Sequence, residues 1–283
     1  MEIQTTEAAP ARGGPGFQRH ESLMSIKLMT VFCLIGALWA ATAPAEQALL
    51  KPTVLITGSN RGIGFEFVRQ FSARDWNIIA TVRNPEAATD LHTLADIDPD
   101  IVIETLDVTD HAGIDALADK YSSRPIDILL LNAAMGPSGI SSLANLDFDI
   151  GRQMFDVNAL GPLKMCQAFM DSVIASDRKQ IVVMSSDSGS FVAGSQRQIL
   201  YHYKASKAAL NMYMHTLAFA TPKRGVTLVM LHPGLVGTNE TLAKFPGALK
   251  TEDSVRQLLT VIDDLTPADN GRFIDYRGQA MPW

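Results

Sequence analysis

The sequence predicts an α/β protein built on a doubly wound parallel sheet. Short β-branched runs alternate with helical stretches from residue 51 to the end. Several of the runs are apolar at every position, and a glycine-rich turn directly follows the first of them. Alternation at this spacing calls for parallel strands joined by crossover helices. Continuous apolarity suits a strand whose sheet is covered by helices on both faces. Ligands on such sheets bind beyond the carboxyl ends of the strands, so the chemistry is expected there.

Taken in order, strands are expected at 53–57 (TVLIT), 77–82, 101–106, 126–132, 180–186 and 226–231, with a short last one at 272–275. Helices are expected near 63–73, 86–95, 111–121, 148–175, 200–220 and 251–265. Neither an internal repeat nor a linker interrupts residues 51–283, which read as a single domain. The chain of 283 residues, 47% hydrophobic and 19% charged, has ample material for a core. A formal charge of −6 argues against nucleic acid as a partner, because no basic face answers a phosphate field. Cys33 and Cys166 stand in unrelated segments and make neither a disulfide framework nor a zinc site.

The first fifty residues differ. Residues 1–23 are polar, rich in Gly and Pro, and aperiodic, as a disordered extension would be. In 24–45, Lys27 precedes an apolar run from Leu28 to Ala41, and Ala43-Pro44-Ala45 follows. That is the order of a secretory signal, with cleavage expected after Ala45. A buried helix of the domain is the other reading, and Met24 is a candidate start of translation. Export or membrane association follows if the signal is used, a cytoplasmic location if it is not.

After the first strand comes TGSNRGIG, whose turn is Gly58-Ser59-Asn60-Arg61-Gly62-Ile63-Gly64. Glycine permits the tight turn and brings backbone N–H groups up to a pyrophosphate at the following helix N-terminus. The spacing is G-x3-G-x-G, not the G-x-G-x-x-G of the usual dinucleotide fingerprint. An acid closing the second strand would hold a ribose 2′-hydroxyl. The chain instead reads ATVRNPE, with Arg83 there and Arg61 in the glycine turn. Two guanidinium groups favour a 2′-phosphate, hence NADP(H) over NAD(H). Asp107, with Val108 beside it, closes the third strand where an adenine amino group is within reach.

The helix ILYHYKASKAALNMYMH carries Tyr203 and Lys207 at i and i+4, on one face. Tyr201 and Tyr213 face Ala205 and Leu217 at that offset, so only Tyr203 meets a lysine this way. A phenol has a pKa near 10 and is sluggish at neutral pH. A lysine cation roughly 4–6 Å away would contribute roughly 3–4 kcal/mol toward the phenolate.

The segments TGSNRGIG, LNAA, VNALG, VVMSSDSG, YKASK and HPGLVGT resemble, in order and approximate spacing, the short-chain dehydrogenase/reductases over about residues 52–283. Within that superfamily the chain looks most like the C-factor-like and sniffer-type carbonyl reductases, on ATVRNPE, SSDSGS and the ending GRFIDYRGQAMPW. The resemblance implies a Rossmann-type domain and hydride transfer between nicotinamide and a carbonyl or alcohol. It implies a tetrad of Asn158, Ser186, Tyr203 and Lys207, with Ser185 the alternative serine. Tyr203 would be the acid and base, and Lys207 would lower its pKa and hold the nicotinamide ribose. Ser186 would bond the carbonyl oxygen, and Asn158 would hold a water linking Lys207 to solvent. Asn132 and Ala133 match the turn after the fourth strand, while Leu131 and Ala134 depart from its N-N-A-G pattern. Pro233, Gly234, Val236 and Thr238 match the nicotinamide loop. A substrate rim at 191–200 and 239–250 and a homodimer are further expectations. A cofactor-bound signalling protein with little turnover, or a dehydratase or epimerase, are the competing functions.

Overall fold

A computed structural model describes residues 51–137, 142–194 and 199–283. The expected extension at 1–23 and signal-like segment at 24–45 lie outside the described residues. Among the described residues, seven strands appear where the apolar runs stand: β1 (Thr53–Thr57), β2 (Asn77–Val82), β3 (Ile101–Thr105), β4 (Ile128–Leu131), β5 (Gln180–Met184), β6 (Thr227–His232) and β7 (Phe273–Asp275). They form one sheet in the order β3-β2-β1-β4-β5-β6-β7, with every neighbouring pair parallel.

The helices are α1 (Gly62–Ser72), α2 (Thr89–Ala95), α3 (His111–Lys120), α4 (Phe148–Phe155), α5 (Gly161–Ile174), α6 (Tyr201–Ala218), α7 (Glu240–Ala243) and α8 (Thr251–Asp263). Strand side chains alternate between faces, and the core divides accordingly. Leu55, Leu129, Ile181 and Leu228 pack with α3, α5 and α6. Val54, Ile56, Leu130, Val182 and Val229 pack with α1, α2 and α8. Each strand residue therefore finds an apolar layer whichever way it points, which is why the runs need no polar alternation.

The expected helix over 148–175 is interrupted by a π-turn at Asp156–Leu160. Pro162 explains it. A proline ring inside a helix clashes with the carbonyl four residues back, here that of Asn158, and donates no hydrogen bond to it. Widening the turn relieves the clash without ending the helix. The short helix α7 lies in the stretch expected as rim.

The strand order reverses direction at β1, whose neighbours are β2 and β4. Loops leaving β1 and β4 part there and open a crevice at the carboxyl edge.

Candidate active site

The crevice is built first by the glycine turn. Gly58 and Gly62 have φ of 71° and 57°, a region L side chains rarely adopt. A Cβ on Gly64 would lie 2.1 Å from the Gly58 carbonyl oxygen and 2.5 Å from Asn132 Nδ2. Asn132 closes this packing. Its Nδ2 donates to the carbonyls of Thr57 and Gly58 at 3.0 and 3.1 Å, while Thr57 Oγ1 accepts the Asn132 and Ala133 N–H groups. Asn132 and Ala133 thus brace the turn after β1, and the departures beside them are accommodated. Leu131 is a core residue, and Ala134 lies exposed on the crevice wall.

Arg61 caps α1 in extended conformation without a side-chain hydrogen bond, and no acid occupies the first turn. The first N–H groups of α1 therefore lack a side-chain partner and suit a phosphate. The residues present fit a dinucleotide here: a helix start without a capping side chain, glycines that leave room for close approach, and two nearby guanidiniums. Ser59 corrects the expectation of a contact by every residue of the turn. It is fully buried, and its hydroxyl donates back to the Ile56 carbonyl at 2.9 Å.

The cavity occupies about 1610 Å³ and runs past the ends of β1 to β4. Gly58, Asn60, Gly62, Ile63 and Gly64 line it, as do Arg61, Arg83, Asp107, Val108 and Thr238. Both arginines are exposed, and neither has an ion-pair partner among the described residues. The Asp107 carboxylate holds the N–H and hydroxyl of Thr109 at 2.9 and 2.8 Å, fixing the loop after β3.

Pro233, Gly234 and Val236 are not among the lining residues. Gly234 has φ 83° against Leu249 and Tyr276, and Val236 is buried and bridges Leu249. They shape the loop that presents Thr238, which packs beside Gly62. Sequence reasoning missed Asn84, Gln153 and Asp156 as lining groups, whereas Glu240–Leu242 of α7 line the cavity within the stretch expected as rim. The signal for α7 was Asn239, whose side chain accepts the Leu242 N–H and starts the helix.

Tyr203 reaches the cavity wall from the first turn of α6 and hydrogen-bonds Ser186, which follows β5. Ser185 faces elsewhere, donating to Asn211 Oδ1 at 2.6 Å in the interior. Lys207, on the same face one turn on, is 3% exposed, and its Nζ donates to the Met184 carbonyl at 2.9 Å.

The electrostatics correct the expected tuning. Burial pushes the Tyr203 phenol above its ordinary value, the Ser186 hydrogen bond pulls it down, and the Asp187 charge pushes it up. Lys207 is not among the groups that shift it. Burial draws Lys207 down to about 8. Desolvation of both groups outweighs the Coulomb attraction expected from their spacing.

Asn158 is fully buried in the π-turn. Its Oδ1 accepts the Met135 N–H at 2.7 Å, and its two amide hydrogens go to the Met135 carbonyl and Ser206 Oγ, each at 3.0 Å. No amide hydrogen remains to hold the expected water beside Lys207.

The family model for short chain dehydrogenases matches residues 52–247. The chain belongs to that family. This short-chain dehydrogenase is similar to C-signal of Myxococcus xanthus, 36% identical over 169 residues, or 59% of this chain and 99% of that protein. It is similar in structure to the NADPH-bound carbonyl reductase from chicken fatty liver, with a TM-score of 0.75 and 29% identity, covering 82% of this chain and 94% of that one. The carbonyl reductase Sniffer of D. melanogaster gives a TM-score of 0.75 at 25% identity, covering 82% and 100%. As a short-chain dehydrogenase, the chain is an oxidoreductase that works with a nicotinamide cofactor.

Proposed function

We propose that the chain is an NADP(H)-dependent carbonyl reductase with Tyr203 as general acid in reduction and general base in the reverse direction. The observation that carries this reading is the Tyr203–Ser186 hydrogen bond at the wall of the cavity that the glycine turn opens. When bound, the nicotinamide supplies the hydride. Tyr203 gives its phenolic proton to the substrate oxygen. The Ser186 hydroxyl turns toward the same oxygen and stabilises the charge developing there. Lys207, one turn on from Tyr203 along α6, would hold the nicotinamide ribose hydroxyls with its ammonium group. Asn158 holds the loop after β4 through Met135 and the tyrosine helix through Ser206.

Preference for NADP(H) rests on Arg61 and Arg83, whose guanidiniums face the cavity where β2 offers no acid. The test is steady-state oxidation of NADPH with a panel of aldehydes and ketones, in the wild type and Tyr203→Phe. Absence of carbonyl-dependent turnover, or full turnover in Tyr203→Phe, overturns the proposal.

The 36% identity to C-signal favours a second reading, a cofactor-bound signalling protein with little turnover. Retention of biological activity by a turnover-dead Tyr203→Phe variant selects it. A homodimer through α5 and α6 is also proposed; exposed Met212 on α6 and Phe219 at its C-terminal cap support it, and light scattering tests it.

A further inference from the structure

We infer that Asp187 is a positioning residue of this site, a carboxylate that takes the Ser186 hydroxyl hydrogen and keeps negative charge beside the Tyr203 phenol. The inference rests on the carbonyl-reductase reading for its meaning, although its test does not need turnover.

A serine hydroxyl has one hydrogen to give and two lone pairs to offer. Ser186 Oγ donates that hydrogen to Asp187 Oδ1 at 3.0 Å and accepts the Ser188 N–H at 3.1 Å. That same hydrogen is the one a bond from Ser186 would place on the phenol oxygen, where it pulls the phenol down. Asp187 competes for it and so opposes the phenolate. Without Asp187, the serine hydrogen is released toward the phenol oxygen and favours the phenolate instead.

The backbone that carries the carboxylate is held in place from behind. The Asp187 N–H donates to His232 Nδ1 at 3.2 Å, at the end of β6. With that nitrogen accepting, the ring hydrogen sits on Nε2 and the imidazole is neutral. Burial draws His232 below its ordinary value, although the charges of Asp187 and Asp275 oppose this; Arg277 adds to the lowering. Among the described residues, the charge that acts on the phenol is that of Asp187 on the turn after β5; Lys207 lies one turn on along α6, and Asp156 lines the same cavity as Tyr203. His232, Asp275 and Arg277 form the backing from β6 and β7. Asp187 is the one that both touches Ser186 and raises the phenol. In a reductase this offsets the drift toward phenolate that an oxidised nicotinamide would impose. Tyr203 then remains a proton donor.

The test is the alkaline titration of the Tyr203 phenol, followed by ultraviolet difference absorbance after rapid pH jumps. The Tyr203 signal is obtained by subtracting the Tyr203→Phe variant. Asp187→Asn keeps the side-chain shape and removes the charge, and Asp187→Ser serves if the first does not fold. The expected result is a phenol midpoint lower than wild type by about one pH unit, a tenfold larger ionisation constant. An unchanged or higher midpoint in the folded variant overturns the inference. If the wild type shows no carbonyl-dependent turnover, the carbonyl-reductase reading fails, and the titration still decides the role of Asp187.

Discussion

Ser206 joins two residues far apart in sequence: its Oγ accepts a hydrogen bond from Asn158 Nδ2 at 3.0 Å and donates to the Tyr203 carbonyl at 2.8 Å. Asn158 and Ser206 are both fully buried. The π-turn is tied to the tyrosine helix by this one hydroxyl. Ser206→Ala leaves an amide hydrogen of Asn158 without a partner in a dry interior. We expect a loss of about 1–3 kcal/mol, read as a lower urea midpoint at unchanged slope.

Tyr203→Phe keeps the ring and removes the phenolic proton. Carbonyl-dependent NADPH oxidation is expected to fall about 10²–10⁴-fold, while NADPH binding, followed by nucleotide fluorescence, stays within a few-fold. Loss of binding in parallel with turnover would show that the tyrosine holds the cofactor rather than the proton.

Arg61 and Arg83 are expected to act on the 2′-phosphate alone. Each Ala substitution should raise the Kd for NADPH about tenfold or more, as expected for a charged hydrogen bond worth about 1.5–3 kcal/mol, and leave NADH nearly unchanged. Equal weakening of the two nucleotides would point to a general effect on the glycine turn.

Gly64→Ala places a methyl group 2.1 Å from the Gly58 oxygen and against Asn132. Both neighbours are braced by hydrogen bonds, so neither yields cheaply. A destabilisation of about 1–3 kcal/mol and loss of NADPH binding are expected, measured by denaturant unfolding and fluorescence.

The pH profile separates Lys207 from Tyr203. Lys207, drawn down to about 8, is charged below that pH and neutral above it. Tyr203 lies above its ordinary value and stays protonated through the same range. Reduction, as kcat/KM, should therefore decline as pH rises through about 8, before the phenol ionises. A profile flat to pH 10 would show that the lysine charge is not needed.

Much of the sheet was legible because each strand carries its own record. An apolar run such as Val54–Ile56 or Leu129–Leu131 needs cover on both faces, and the two core layers provide it. The glycine turn was legible because φ near 60–70° at Gly58 and Gly62 is a local demand that glycine meets. The break at 156–160 was also written locally, in Pro162, whose clash with the Asn158 carbonyl the expected continuous helix left out.

Charge placement was not legible in this way. The spacing of Tyr203 and Lys207 puts both on one face, which a 3.6-residue repeat guarantees. It does not say that burial dominates both groups, that Nζ meets the Met184 carbonyl, or that Asn158 commits its amide to Met135 and Ser206. Likewise Asp187 and His232 stand 45 residues apart and meet only because β5 and β6 lie side by side. Periodicity and backbone preference are properties of neighbours along the chain, so the sequence by itself determined the strands, the turn and the shared helix face. Desolvation and long-range hydrogen bonding depend on what the folded chain brings alongside, so only the tertiary structure decided which of those groups are charged, which are spent on the scaffold, and which remain to do chemistry.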